Sequence, residues 1–444
     1  MSRKGGNKIM RKYLIAIVAF VLCLLAVGCN QEITSGEIIE FDKTQTKNTV
    51  LTVWMDDTDG IFMDEIIPLF ESQNPGITVE FQHMATVDAR EKLKTFGQSG
   101  FGADIFQFPH DHMAQAILDD LVYPLPDELM NRLESRILPV AMDIATSNYD
   151  EASGEFNATS EKLFAVPLSI ESVTIFYNKD LVTELPTTME DLLAQSLAWH
   201  EKDFDGKHYY GLATSSHWAD GYFLQGFYSA FGGWTPFGPE LKDGSEVGFE
   251  SANVKNALNW MVNTLKPAVT GNGNHDSVSG ATLFEEGKIP YLLTGPWQIA
   301  SLKGKVDFGA ITLPTIQGNQ CKTYAGAQMV AVYKYSKNKD AAMKFAEFLT
   351  TDEAAEILYR TSGDCPALKA EILDQIEGLK DDAVMQVMLD QLTTSVPMPT
   401  IPEVTYYWGP EETMVKNIWN SGADIESEMK TAEKSYKGAK DLAS

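Results

Sequence analysis

From Asn48 onward, short apolar runs alternate with stretches of helical period, the pattern of a layered α/β fold. Thr49–Trp54 reads as a buried strand, and Phe62, Ile66, Leu69 and Phe70 then share one helical face that Asn74-Pro75-Gly76 closes. Ile77–Phe81 and Asp104–Phe108 are further strands, followed by helices over Asp88–Phe96 and about His112–Asp120. Later cycles repeat the pattern. Ser251 is a candidate N-cap for Val254–Leu265, and Ala342, Phe345, Ala346 and Leu349 line one face of Lys339–Leu349. At 444 residues the chain exceeds what one hydrophobic core organises, yet no Pro/Gly/Ser-rich linker divides it. Two domains without a linker imply that the chain passes between them more than once.

The first residues belong to targeting rather than to the fold. Arg3, Lys4, Lys8, Arg11 and Lys12 precede an uncharged run from Tyr13 to Val27, the length of a signal-peptide core and short for a membrane span. It ends in Leu25-Ala26-Val27-Gly28-Cys29, which resembles a bacterial lipobox. On that resemblance residues 1–28 are a cleaved signal, Cys29 carries lipid, and residues 29–47 are a tether. Apart from Cys23 and Cys29, only Cys321 and Cys365 remain, a possible disulfide in an oxidising exterior whose formation the sequence leaves open. The net charge is −27, and loss of residues 1–28, with five basic and no acidic residues, makes it −32. A field of that sign disfavours nucleic acid as a partner.

Catalytic signatures are missing from the sequence: there is no GxSxG, P-loop, GxGxxG after a strand or HExxH. His110 and His112 could form a metal pair, but no third ligand suggests itself, so neither metal nor cofactor is expected. Asp203–Lys207 lacks the later glutamate of a calcium loop and reads as a surface turn. Trp297, after Gly295-Pro296, and Trp408, before Gly409, sit beside turn residues rather than inside apolar runs. Flat rings beside carboxylates and amides suit a sugar, whose C–H face packs on an aromatic plate while its hydroxyls seek polar partners. Core packing of the same tryptophans is the plainer alternative.

In order along the chain, LTVWMDD (51–57), ADIFQFPHDH (103–112), FAVPLSIESVTIFYNKDLV (164–182), LFEEGKIPYLLTGPW (283–297), FGAITLPT (308–315) and MPTIPEVTYYW (398–408) resemble the maltose/maltodextrin-binding proteins of sugar ABC transporters. The resemblance implies a two-lobed, periplasmic-binding-protein-like α/β fold of type II, with three interlobe crossovers and a ligand cleft between the lobes. The crossings would fall near Ser169–Glu171, Gly326–Met329 and Asp374–Gly378. Lobe one would take 48–169 with 327–374, and lobe two 170–326 with 375–440. Position by position it implies Phe108 as a plate, Asp111, Glu171 and Asp220 as acidic contacts, and Tyr222, Trp297 and Trp408 as stacking aromatics. The family has Trp at Phe108, Arg at His112, Asp-Lys at Thr58-Asp59 and Tyr at Gly409, so one end of the site has lost groups. The expectation is a monomeric, non-enzymatic binding protein, lipid-anchored on the outer face of a bacterial cell membrane. It would deliver maltose or malto-oligosaccharide to an ABC permease; another oligosaccharide, or a lipoprotein glycosidase using Glu171 and Asp111, are the alternatives.

Overall fold

The computed structural model describes residues 48–443 apart from 157, 246, 275 and 276. The signal peptide over 1–28, the tether over 29–47 and Cys29 lie outside the described residues. In chain order the strands are β1 (Thr49–Met55), β2 (Ile77–His83), β3 (Ile105–Pro109), β4 (Thr146–Ser147), β5 (Lys162–Leu163), β6 (Val166–Glu171) and β7 (Thr174–Asn178). They continue as β8 (Leu212–Thr214), β9 (Tyr291–Thr294), β10 (Phe308–Ile311), β11 (Tyr324–Val332), β12 (Cys365–Pro366) and β13 (Val396–Pro397).

Two sheets organise two lobes. The first has the order β12-β6-β11-β3-β1-β2 with β13 on β11, and the second β10-β7-β9-β8. β1 runs parallel to β2 and β3, whereas β11 lies antiparallel between β3 and β6. Leu51, Val53, Trp54 and Met55 are all buried, as expected of a strand covered on both faces. The helix Ile61–Gln73 buries Phe62, Met63, Ile66 and Phe70 against this sheet. Ser251 is the N-cap expected of it, its Oγ accepting from the Val254 N–H. The α-helix it starts ends at Trp260, and Met261–Leu265 continue as a π turn.

The first core gathers residues from 51–170 and 327–388, and the second residues from 173–321 and 404–436. A smaller cluster around Phe176, Phe284 and Leu292 covers the other face of the second sheet. Residues 375–392, placed in lobe two by the resemblance, divide between the lobes. Ile376, Leu379, Met385 and Met388 join the first core, while Val384 and Val387 lean on the second sheet's cluster.

Where the chain passes between lobes, its backbone is tied by hydroxyls. Ser172 Oγ lies 2.7 Å from Thr323 Oγ1 and donates to the Tyr324 carbonyl at 2.8 Å. Thr323 Oγ1 is in turn 2.7 Å from Ser395 Oγ, and Gln391 Nε2 donates to it at 3.2 Å. Gln391 also accepts the Leu313 N–H at 2.8 Å. Segments around 172, 323 and 391–395 are thereby knotted together about buried Ser172, Thr323 and Gln391, with Ser395 half-buried at the edge.

The possible Cys321–Cys365 disulfide is corrected: both cysteines are free and buried. They belong to different cores, Cys321 donating its thiol to the Pro314 carbonyl in lobe two and Cys365 forming β12 in lobe one. Burial pushes both thiols up to about 12, so neither is a ready nucleophile. Peptide mapping after alkylation in denaturant without reductant should find both residues modified, with almost none modified in the native protein. Gln391→Leu, which strands the Leu313 N–H and part of the knot, should lower stability by about 1–3 kcal/mol in a denaturant melt.

Candidate ligand-binding cleft

The carboxyl ends of β1 and β3 lead into the loops Asp56–Gly60 and His110–His112, both aimed at lobe two. Asp57 Oδ2 accepts the Met63 N–H at 2.8 Å, so this carboxylate caps the following helix. Gln107 Oε1 accepts the Asp56 N–H at 3.0 Å and holds the loop open toward the cleft. A cavity of about 930 Å³ lies between these loops and the segment Trp297–Lys303. Asp56, Asp59, Gln107, Gln328 and Asp364 line it from lobe one, and Trp297, Ser301 and Lys303 from lobe two.

Glu171 stands on the floor of the cavity, at the end of β6 and the start of a crossover. It accepts from Gln328 Nε2 at 3.1 Å, and burial, with Asp364 and Asp111 nearby, raises its pKa to about 8. At neutral pH it is largely protonated, able both to donate and to accept a hydrogen bond.

Asp111 is buried and accepts from Trp408 Nε1 at 3.0 Å, a bond that joins the lobes directly. Trp408 packs its ring edge-to-face on Tyr407 at 4.9 Å and on Tyr324 at 6.2 Å. Trp297 is 39% exposed, with Tyr222 and Phe223 at 6.2 and 5.8 Å between ring centroids. The Tyr222 hydroxyl is buried and has no hydrogen-bond partner among the described residues. A side chain at Gly326 would come within 2.9 Å of it, so the glycine is what makes room for this phenol.

Two expected contacts have other employment. Phe108 is fully buried and stacks on Phe106 at 5.2 Å inside the first core. It alternates toward the sheet's interior, has no face to offer a ligand, and is corrected from plate to core residue in this conformation. Asp220 caps the helix Gly221–Ser229, accepting from the Tyr222 N–H at 3.0 Å and from Ser216 Oγ at 2.6 Å. It positions Tyr222 rather than facing the cavity. The structure thus places Glu171 and Trp297 in the cavity wall, and Asp111, Tyr222 and Trp408 behind it as an interlobe latch.

Sequence reading missed Gln328, Asp364, Asp56 and Gln107. A polar residue inside an apolar strand, such as Gln107 in Ile105–Pro109, was the available signal. His110 was considered only as a metal ligand. It is fully buried, and its Nδ1 accepts the Ala327 N–H at 3.0 Å, which fixes it as a neutral strut between β3 and β11. Burial lowers its pKa. Among the described residues no group of three His, Cys, Asp or Glu side chains is arranged to hold a metal ion.

Two lobes around a cleft walled by carboxylates and aromatic rings define a solute-binding protein. Residues 55–356 match the bacterial extracellular solute-binding protein family, and the chain belongs to that family. A maltooligosaccharide ABC transporter solute-binding lipoprotein of Streptococcus pneumoniae is 25% identical over 92% of each chain. A galactooligosaccharide-binding protein of Bacillus subtilis is 26% identical over 97% of this chain and 98% of its own. The solved maltotriose-binding protein of Thermus thermophilus, bound with maltotriose, is 25% identical with a TM-score of 0.76, over 88% of this chain and 99% of that one.

The raised pKa of Glu171 has a definite sign. The unfolded carboxyl titrates near 4.5 and the folded one near 8, so the associated stability is complete below the lower value and is lost as pH rises through the upper. Between about pH 5 and about pH 9 the melting temperature should therefore fall more for the native protein than for Glu171→Gln. Equal slopes would show that Glu171 does not carry this pH dependence.

Proposed function

We propose that this protein is the extracytoplasmic, non-enzymatic sugar-capturing component of an ABC transporter, and that its ligand is a malto-oligosaccharide. Trp297 supports the reading most directly. It is a large, part-exposed ring on the wall of a cavity whose opposite wall carries Glu171, Gln328, Asp56 and Asp364. An apolar plate facing a row of hydroxyl partners is the chemistry a pyranose requires. The cavity volume is of the size that encloses a small oligosaccharide. Tyr222 and Trp408 stand behind that wall, and the Tyr222 phenol awaits a hydroxyl partner. Asp111 exchanges Trp408 for a sugar hydroxyl when ligand enters, and the lobes close on it by hinge bending.

On this reading the protein is a monomer held on the outer face of a bacterial cell membrane by lipid on Cys29, handing sugar to the permease subunits. The galactooligosaccharide-binding relative, together with the loss of Phe108 as a plate, favours a second reading in which the glycosidic linkage differs. Titration calorimetry with maltose to maltoheptaose beside β-linked galacto-oligosaccharides should give heat with the α-linked series. Heat only with the β-linked series would establish the second reading. Chromatography of the same mixtures should show no shorter products; their appearance would make this an enzyme.

Two variants test the wall. Trp297→Ala should weaken the preferred sugar about tenfold or more. Tyr222→Phe should weaken it by about 0.5–1.5 kcal/mol while leaving the sugar-free protein at least as stable, because the lost hydroxyl is one the protein itself leaves unpaired.

A further inference from the structure

The pole of lobe one farthest from the cleft carries an unusual set of exposed rings. Phe101 is 80% exposed, Tyr335 50% and Phe96 49%. Phe96 ends the helix Thr86–Phe96, and Phe101 and Tyr335 lie on two adjoining turns, Gly97–Gly102, which leads into β3, and Lys334–Asn338, which follows β11. Gly97 packs against the Tyr333 ring, and Tyr333 meets Tyr335 edge-to-face at 5.6 Å. The Tyr333 N–H donates to the Asp104 carbonyl, closing the two turns together.

The described chain begins at this same pole. β1 runs from here toward the cleft, parallel to β3, and Asn338 Nδ2 donates to the Val50 carbonyl at 3.0 Å. The first described residues therefore lie beside Gly76 and Asn338, on the turn that also carries Tyr335. From Cys29 to Asn48 there are 19 residues by sequence, which span on the order of 65 Å at full extension. The cations at this pole are mostly paired, Arg90 with Glu91 and Asp119, Lys94 with Asp119, and Lys334 with Asp120 and Glu151, while Lys337 is exposed.

We propose that this pole is a membrane-resting face. Phe96, Phe101 and Tyr335 seat at the headgroup layer of the bilayer with Lys337 toward the phosphates. Aromatic side chains favour that layer because their rings are apolar while the site is wet, and lysines reach from it to anionic headgroups. Such a contact adds to lipid anchoring, since one weak hydrophobic attachment is reinforced by a second on the same molecule. It leaves the cleft, at the other end of lobe one, turned away from the lipid. The inference rests on the reading that Cys29 is lipidated.

The test uses the full lipoprotein in vesicles of phosphatidylcholine and phosphatidylglycerol containing a doxyl-labelled lipid. An environment-sensitive fluorophore is placed at Phe101→Cys and, as a control in lobe two, at Leu185→Cys, which is also exposed. Cys321 and Cys365 are buried and stay unlabelled. Fluorescence at 101 should be lost to the doxyl lipid and that at 185 retained. Floating protein with no quenching at 101 overturns the membrane-resting face while the anchor stands. A label at 101 that is shielded from iodide yet unquenched by lipid would seat a second copy of the chain there, and also overturns the proposal. Protein that fails to float with the vesicles removes the anchor reading and this inference with it.

Discussion

The knot of Ser172, Thr323, Ser395 and Gln391 is the constraint on which the rest of the molecule depends. The two cores are separate clusters, joined by a few crossing segments and by the helix over 383–392, which packs on both. A buried cluster of neutral hydroxyls is satisfied in very few arrangements, and misplacing one member leaves several atoms without partners. The crossing strands are thereby registered against each other. β6 and β7 diverge into separate sheets from Ser172, and β11 enters the first sheet from Tyr324. The gap between those sheets is the cavity.

That registration divides the chemistry of the cleft between the lobes. Lobe one contributes acidic and amide groups: Asp56 just after β1, Gln107 within β3, Gln328 within β11 and Asp364 just before β12. Lobe two contributes rings held by helix starts and by glycines. Asp220 and Gly326 together position Tyr222, and Gly295 lets the Trp297 ring fold back over its own backbone. The plate and the acidic and amide groups thus stand on opposite walls, with Ser301 and Lys303 beside the plate.

Much of the architecture was legible in the sequence because strand and helix periods are local. TVLTVW, the capping Ser251 and the Ala342, Phe345, Ala346 stripe each declare themselves within a few residues, and the structure keeps them. What could not be read depends on residues far apart in sequence. Phe108 looks like any aromatic at a strand end; only its stacking on Phe106 makes it core. Gln328 and Glu171 are 157 positions apart and meet because β11 pairs with β6. Cys321 and Cys365 are close in sequence yet lie in different cores, since the chain crosses the waist between them. Position-by-position resemblance pointed to Trp297 and Glu171, which line the cavity, but could not show that Asp220 is occupied as a helix cap.

The bond from Trp408 to Asp111 bears on how such a cleft responds to its ligand. It holds the lobes together through a charge-assisted hydrogen bond, an interaction worth roughly 1.5–3 kcal/mol net in a buried setting. A sugar hydroxyl that takes its place exchanges one good hydrogen bond for another and gains little at Asp111 itself. On the proposed reading, the surplus that favours closure comes from groups with no equivalent partner in the protein, the Tyr222 hydroxyl and the Trp297 face. A ligand shifts a conformational equilibrium only by its differential affinity for the two states. On the proposed sugar-binding function, chain length and linkage would be discriminated at the cavity wall, whereas the Asp111–Trp408 bond would set how far the lobes are closed before any sugar is bound.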